Sequence, residues 1–182
     1  MAIVSLCALV IGAATTTLTW AAFSAQATSP GNSFDTGTVS ITDNDGGTAL
    51  FNAAAIWPGS PISKCIQVTY TGTLPAGVRL YGATTAGTGL EAYLELTVVR
   101  GTVSNGTFPD CASFTADSTD HIGLGPGVLY SGPLSGFAIG VTDPGAAWST
   151  NDRHAYKLSI DLADTIAAEG KTVTETFVWE AR

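Results

Sequence analysis

From residue 36 to the C-terminus, apolar and polar side chains alternate in short runs punctuated by Gly, Pro, Asn and Asp. A period of two places one set of side chains on each face of an extended strand, whereas a helix needs an apolar stripe every 3.6 residues. The pattern predicts strands at "TGTVSIT" (residues 36–42), "KCIQVTY" (64–70), "GVRLYG" (77–82), "AYLELTVVRG" (92–101) and "GVLYSG" (127–132). Three more are predicted at "GFAIGV" (136–141), "HAYKLSIDL" (154–162) and "TVTETFVWE" (172–180). In "KCIQVTY", Ile66, Val68 and Tyr70 share one face and Cys65, Gln67 and Thr69 the other. "DNDGG" (43–47) tolerates positive φ and predicts a hairpin between residues 36–42 and "TALFN" (48–52). "GTGLEAYL" and "ADTIAAEG" each allow one helical turn, but no segment sustains a helical stripe. The expectation is an all-β, jelly-roll-like antiparallel sandwich over residues 34–182.

The N-terminal region has another texture. Residues 1–22 carry no charge, and residues 2–14 form an apolar run followed by small side chains, as a secretion signal requires. A basic n-region is missing, so either the true start lies upstream or the signal is atypical. The run could also just span a bilayer. Against a retained anchor stand Thr15, Thr16, Thr17 and Thr19, poor helix formers, and the absence of a basic stop-transfer cluster. The reading adopted is a cleaved signal and no permanent membrane span after processing. Cleavage after Ala27 would start the mature chain at Thr28; cleavage between Ala22 and Phe23 would keep a further strand. In that strand Phe23, Ala25 and Ala27 alternate with Ser24, Gln26 and Thr28 before Pro30 stops it, within an extension of residues 23–33.

Composition narrows the partners. Charged residues are only 12% of the 182, and fifteen acids against seven bases give a net charge of −8. Binding phosphate backbones needs a basic surface, so nucleic acid is not an expected partner. Cys7 falls in the leader, leaving Cys65 and Cys111 as a pair in the body of the chain. An exported protein would bridge them; two free buried thiols are the alternative. On its strand Cys65 faces away from the apolar set, so a bridge would clip the outer face or a loop rather than the core.

Chemical motifs are scarce. His121 and His154 stand alone, without H-E-x-x-H spacing, and no G-x-S-x-G elbow occurs. "EGKT" (169–172) imitates the end of a phosphate loop, but Thr165 stands where its first Gly belongs. "DNDGG" resembles half a calcium loop without the closing acid. Asn105-Gly106-Thr107 fits both a glycosylation sequon and a turn. These observations predict no enzyme, no catalytic residue, no metal site and no cofactor.

"LTWAAFSAQATSPGNSFDTGTVSIT" (18–42), the Pro58-Gly59 turn, "CIQVTYTGTLPAGVRLYG" (65–82) and, more loosely, the terminal "FVWEA" resemble the TasA/camelysin family of secreted biofilm-matrix fibre and pilus subunits. The resemblance implies processing at Ala22/Phe23 by a dedicated peptidase, a jelly-roll domain, and polymerisation through the freed N-terminal segment. It also implies an extracellular or cell-surface location, and leaves room for an accessory anchor or minor subunit. Some relatives have been called metalloproteases, but the zinc signature is missing here.

Strand chemistry makes such assembly physically reasonable. A sandwich with an open edge presents unpaired backbone groups, which a strand from a neighbour can cover while its apolar face enters the neighbour's core. Donor and acceptor are different surfaces, so the contact repeats head to tail into a homopolymer. A monomeric extracellular module binding carbohydrate or protein is the alternative, with a secreted hydrolase third.

Overall fold

The computed structural model describes residues 36–182. The expectations placed on Ala22 and on residues 23–28 lie outside them. The described chain builds nine strands, β1 (Ile41–Asp43), β2 (Ile62–Tyr70), β3 (Val78–Gly87), β4 (Leu94–Val103), β5 (Phe114–Ala116), β6 (Val128–Pro133), β7 (Val141–Thr142), β8 (Arg153–Leu162) and β9 (Val173–Ala181). Its only helical elements are three 3₁₀ turns, Leu90–Ala92, Leu134–Ile139 and Ile166–Ala168.

The strands form two antiparallel sheets. The larger runs β1-β2-β8-β4, with β5 and β6 sharing the far edge of β4, β5 against Gly101 to Val103 and β6 against Glu95 to Val99. The smaller runs β7-β3-β9. Period-two alternation supplies the core between them: Ile66, Val68 and Tyr70 from β2, Val78 and Leu80 from β3, Leu94, Leu96 and Val98 from β4, Tyr156 and Leu158 from β8. The expected all-β antiparallel sandwich is therefore present.

Three local expectations are corrected. The hairpin across "DNDGG" does not form. The turn does, with Asp43 Oδ1 accepting from the Asp45 N–H and Asp45 Oδ1 from the Gly47 N–H. But β1 pairs with β2, Ile41 opposite Tyr70, and residues 48–52 are not a strand. Leu50 and Phe51 pack against the core as side chains instead of entering a ladder. "GFAIGV" is mostly the 3₁₀ turn Leu134–Ile139, in which Leu134 and Phe137 are buried. Three residues per turn eclipse positions i and i+3, so both face inward and Ile139 is left 81% exposed. Strand β5 was not foreseen, since three residues carry too little alternation to register. The single helical turns expected near residues 90 and 167 are there.

Candidate functional site

Cys65 and Cys111 form a disulfide, with a Cα–Cα distance of 5.2 Å. Cys65 lies on the outer face of β2, opposite in parity to Ile66, Val68 and Tyr70, so the bridge does clip the outside of the sandwich. It holds the connection between β4 and β5 along the rim of β2, where the Cys65 N–H donates to the Pro109 carbonyl at 3.1 Å. Asn44 covers the next position, donating its N–H to the Gln67 carbonyl and accepting the Gln67 N–H on Oδ1. Strand β1 covers Val68 to Tyr70. Much of the free rim of β2 is thereby occupied, which is how a soluble sheet avoids templating another strand.

Among the described residues nothing covers the outer edge of strand β9 in this way. Gly77 and Arg182 exchange both backbone hydrogen bonds. In an antiparallel ladder hydrogen-bonded pairs recur every second residue, so Arg79–Glu180 and Tyr81–Val178 are the next ones. The N–H and C=O groups of Phe177 and Trp179 therefore point away from β3, and no described residue pairs with them. The side chains of the same two residues turn inward and pack against the core. Beside them runs an apolar groove of about 1110 Å³. Ile66 and Ile160 of the larger sheet line one side, Phe177 and Trp179 of β9 another, and the segment between β1 and β2 a third. The Trp179 indole nitrogen is buried without a partner among the described residues.

An acid on β9 interrupts this lining. Glu175 has the inward parity of Val173 and Phe177, and its carboxylate folds over Gly82 on β3. A Cβ at Gly82 would stand 2.3 Å from Glu175 Oε1, so a larger residue there would push the carboxylate aside. The Thr84 hydroxyl donates to Oε2 at 2.7 Å. Burial raises the Glu175 pKa above its ordinary 4.5, and the Glu91 carboxylate pushes the same way against the Thr84 hydrogen bond. A carboxyl with a raised folded-state pKa contributes stability below the unfolded pKa and loses it as pH rises through the folded value. Glu175→Gln should therefore melt at a higher temperature than the parent at pH 7, the gap closing as pH falls through the raised folded value and vanishing below about 4.5. A gap of the same size at every pH would show that the charge of Glu175 carries no cost.

A second polar cluster lies between the sheets. Asp143, just after β7, has a side chain 1% exposed. It accepts from Arg100 Nη1 at 2.7 Å, Trp148 Nε1 at 3.0 Å and Tyr156 Oη at 2.6 Å. Arg100 also donates to Asp117 and to the Pro144 carbonyl. His154 stacks on Trp148, ring centroids 4.4 Å apart, and burial lowers its pKa. Every donor aimed at Asp143 comes from a neighbouring strand or loop, so the group is a clasp joining β4, β8 and the β7 end of the smaller sheet. Nothing in its geometry presents a nucleophile or an acid–base pair to solvent.

His121 sits 3.8 Å from Asp117, and the described residues contain no group of three or more potential metal ligands. Asn105-Gly106 lies in a bend just past β4, Gly106 at φ 52°. No described helix is long and apolar enough to cross a membrane. The sequence reading did not find the β9 edge, its groove or the Asp143 clasp. A usable signal for the clasp was present, because Arg100 continues the inward parity of Leu94, Leu96 and Val98. No protein-family model and no curated protein matches the chain.

Proposed function

We propose that this protein is the structural subunit of an extracellular filament, joined head to tail by a strand donated from each subunit to the next. The acceptor is the β9 edge with its apolar groove, and the donor is the stretch Phe23 to Thr28 of a neighbouring copy. The observation that carries the reading is that Phe177 and Trp179 combine outward backbone groups, unpaired among the described residues, with inward side chains over that groove. An incoming strand can bond the first and pack on the second at once, which is strand addition in its physical essentials. Phe23, Ala25 and Ala27 supply an alternating apolar face. The disulfide supports export, since such bridges persist in oxidising compartments. This is the assembly that the resemblance to the TasA/camelysin family implies, with secretion and cleavage at Ala22/Phe23 preceding it.

The test is electron microscopy and sedimentation of the chain beginning at Phe23. It should form filaments, and deletion of residues 23–30 should leave monomers. Phe23→Asp should impair assembly more than Phe23→Ala, because it would bury an unpaired carboxylate where the parent buries about 1.5–3 kcal/mol of apolar side chain. Filaments of unchanged appearance from the truncated chain would overturn the donor assignment. A single monomeric species at all concentrations would favour a binding module, whose apolar ligand would occupy the same groove.

A further inference from the structure

The segment between β1 and β2 lines the groove but behaves unlike the rest of the sandwich. From residue 49 to residue 56 no backbone N–H or C=O hydrogen-bonds to any described residue. Only Leu50, Phe51 and Ile56 of this stretch are even half-buried, the other five residues being exposed. Those three pack against the core, and the Phe51 ring meets Phe177 at 6.2 Å between centroids. Ala55 sits at φ 54°, the left-handed region that disfavours a residue with a Cβ. The segment is thus a strap held by three apolar side chains, with no ladder. Its aromatic contact is made to the residue whose backbone groups face the open edge.

We propose that residues 49–56 are a self-cover of the acceptor groove, occupying in the free subunit the position an incoming strand must take, and that their displacement gates polymerisation. The inference rests on the filament reading above. The physical basis is an unequal exchange. The strap supplies apolar cover but leaves the Phe177 and Trp179 backbone groups unmatched. A donor strand supplies apolar cover and the missing hydrogen bonds, so it wins once present at sufficient local concentration. Until then the strap keeps a sheet edge and an apolar groove from being exposed together, the combination that makes soluble proteins associate without control. Few buried contacts and no backbone pairing also place the strap among the first segments to open.

The experiment uses the chain beginning at Phe23, with Phe51→Ala and, separately, Ile56→Ala, each checked for an intact unfolding transition. Two readouts are taken: fluorescence of an apolar dye on freshly diluted monomer, and the lag before light scattering reports filaments. The expected result is several-fold greater dye binding and a several-fold shorter lag for both variants. Greater dye binding with an unchanged or longer lag would overturn the gate while leaving the filament reading intact. Unchanged dye binding would show that the strap does not cover the groove, and would equally overturn it. If the parent chain itself never assembles, the filament reading fails first, and the gate fails with it.

Discussion

Asp143→Ala should lower the unfolding free energy by about 3–5 kcal/mol, the range for removing one partner of a buried ion pair. The whole stability of a domain this size is about 5–15 kcal/mol, so the variant should sit close to unfolding at physiological temperature. The size follows from what is left behind. Arg100, with a side chain 14% exposed, would keep only Asp117 and the Pro144 carbonyl. The Trp148 indole N–H and the Tyr156 hydroxyl, both in buried residues, would lose their acceptor, and each such loss costs about 1–3 kcal/mol. Asp143→Asn keeps the shape and part of the hydrogen bonding, and should fall between parent and Ala. Urea unfolding of the three proteins would show the order. An Ala variant within about 0.5 kcal/mol of the parent, the effect of an ordinary surface change, would mean that the clasp holds nothing together.

The second large effect is expected at the disulfide. The bridge spans a sequence separation of 46 residues. Closing a loop of that length restricts the unfolded chain by about 4 kcal/mol on the chain-entropy account, and loss of a native bridge costs about 2–5 kcal/mol in small secreted domains. Replacing Cys65 and Cys111 together by Ser should therefore lower the unfolding free energy by that amount. It should also release the loop that carries Pro109 from the rim of β2, exposing backbone groups there. Such a protein should associate without order, seen as light scattering that electron microscopy does not resolve into filaments. Equal stability with and without the bridge, in a parent shown by intact-mass analysis to be oxidised, would refute its structural role.

Both effects bear on the same division of labour. The clasp fixes how the two sheets face each other at the β7 end, and the bridge closes the β2 rim. What distinguishes β9 is that backbone groups unpaired among the described residues lie beside an apolar groove, and the proposed assembly depends on that combination. If either closure fails, the difference between a directed contact and an indiscriminate one is lost.

The sequence by itself determined the strands that carry a long alternating pattern. β2, β3, β4, β8 and β9 fall where Val, Ile, Leu and Tyr recur every second residue, because the pleat converts that spacing directly into a buried face. It also determined which face of β2 holds Cys65, hence that a bridge would lie outside the core. Short elements escaped it. β5 has three residues and β7 two, and both exist because a neighbouring strand offers hydrogen bonds. Leu134 and Phe137 alternate poorly as a strand yet share one face of a 3₁₀ turn, a spacing that only the shape of the surrounding core could select.

Pairing was decided by tertiary structure. Residues 48–52 were adjacent in sequence to β1 and followed a good turn, but β2 was the better partner because Ile41 and Tyr70 could pair beside the core. Leu50, Phe51 and Ile56 were then left to cover the groove, with their backbone unpaired. An open edge is a property of which strands are neighbours, and no run of residues encodes its own lack of a partner. The β9 edge, the groove beneath it and the strap across it follow from sheet order, while the clasp around Asp143 needs β4, β7 and β8 brought to one point. Local periodicity supplies the faces; only the packing of distant segments decides which edges are closed and which remain available.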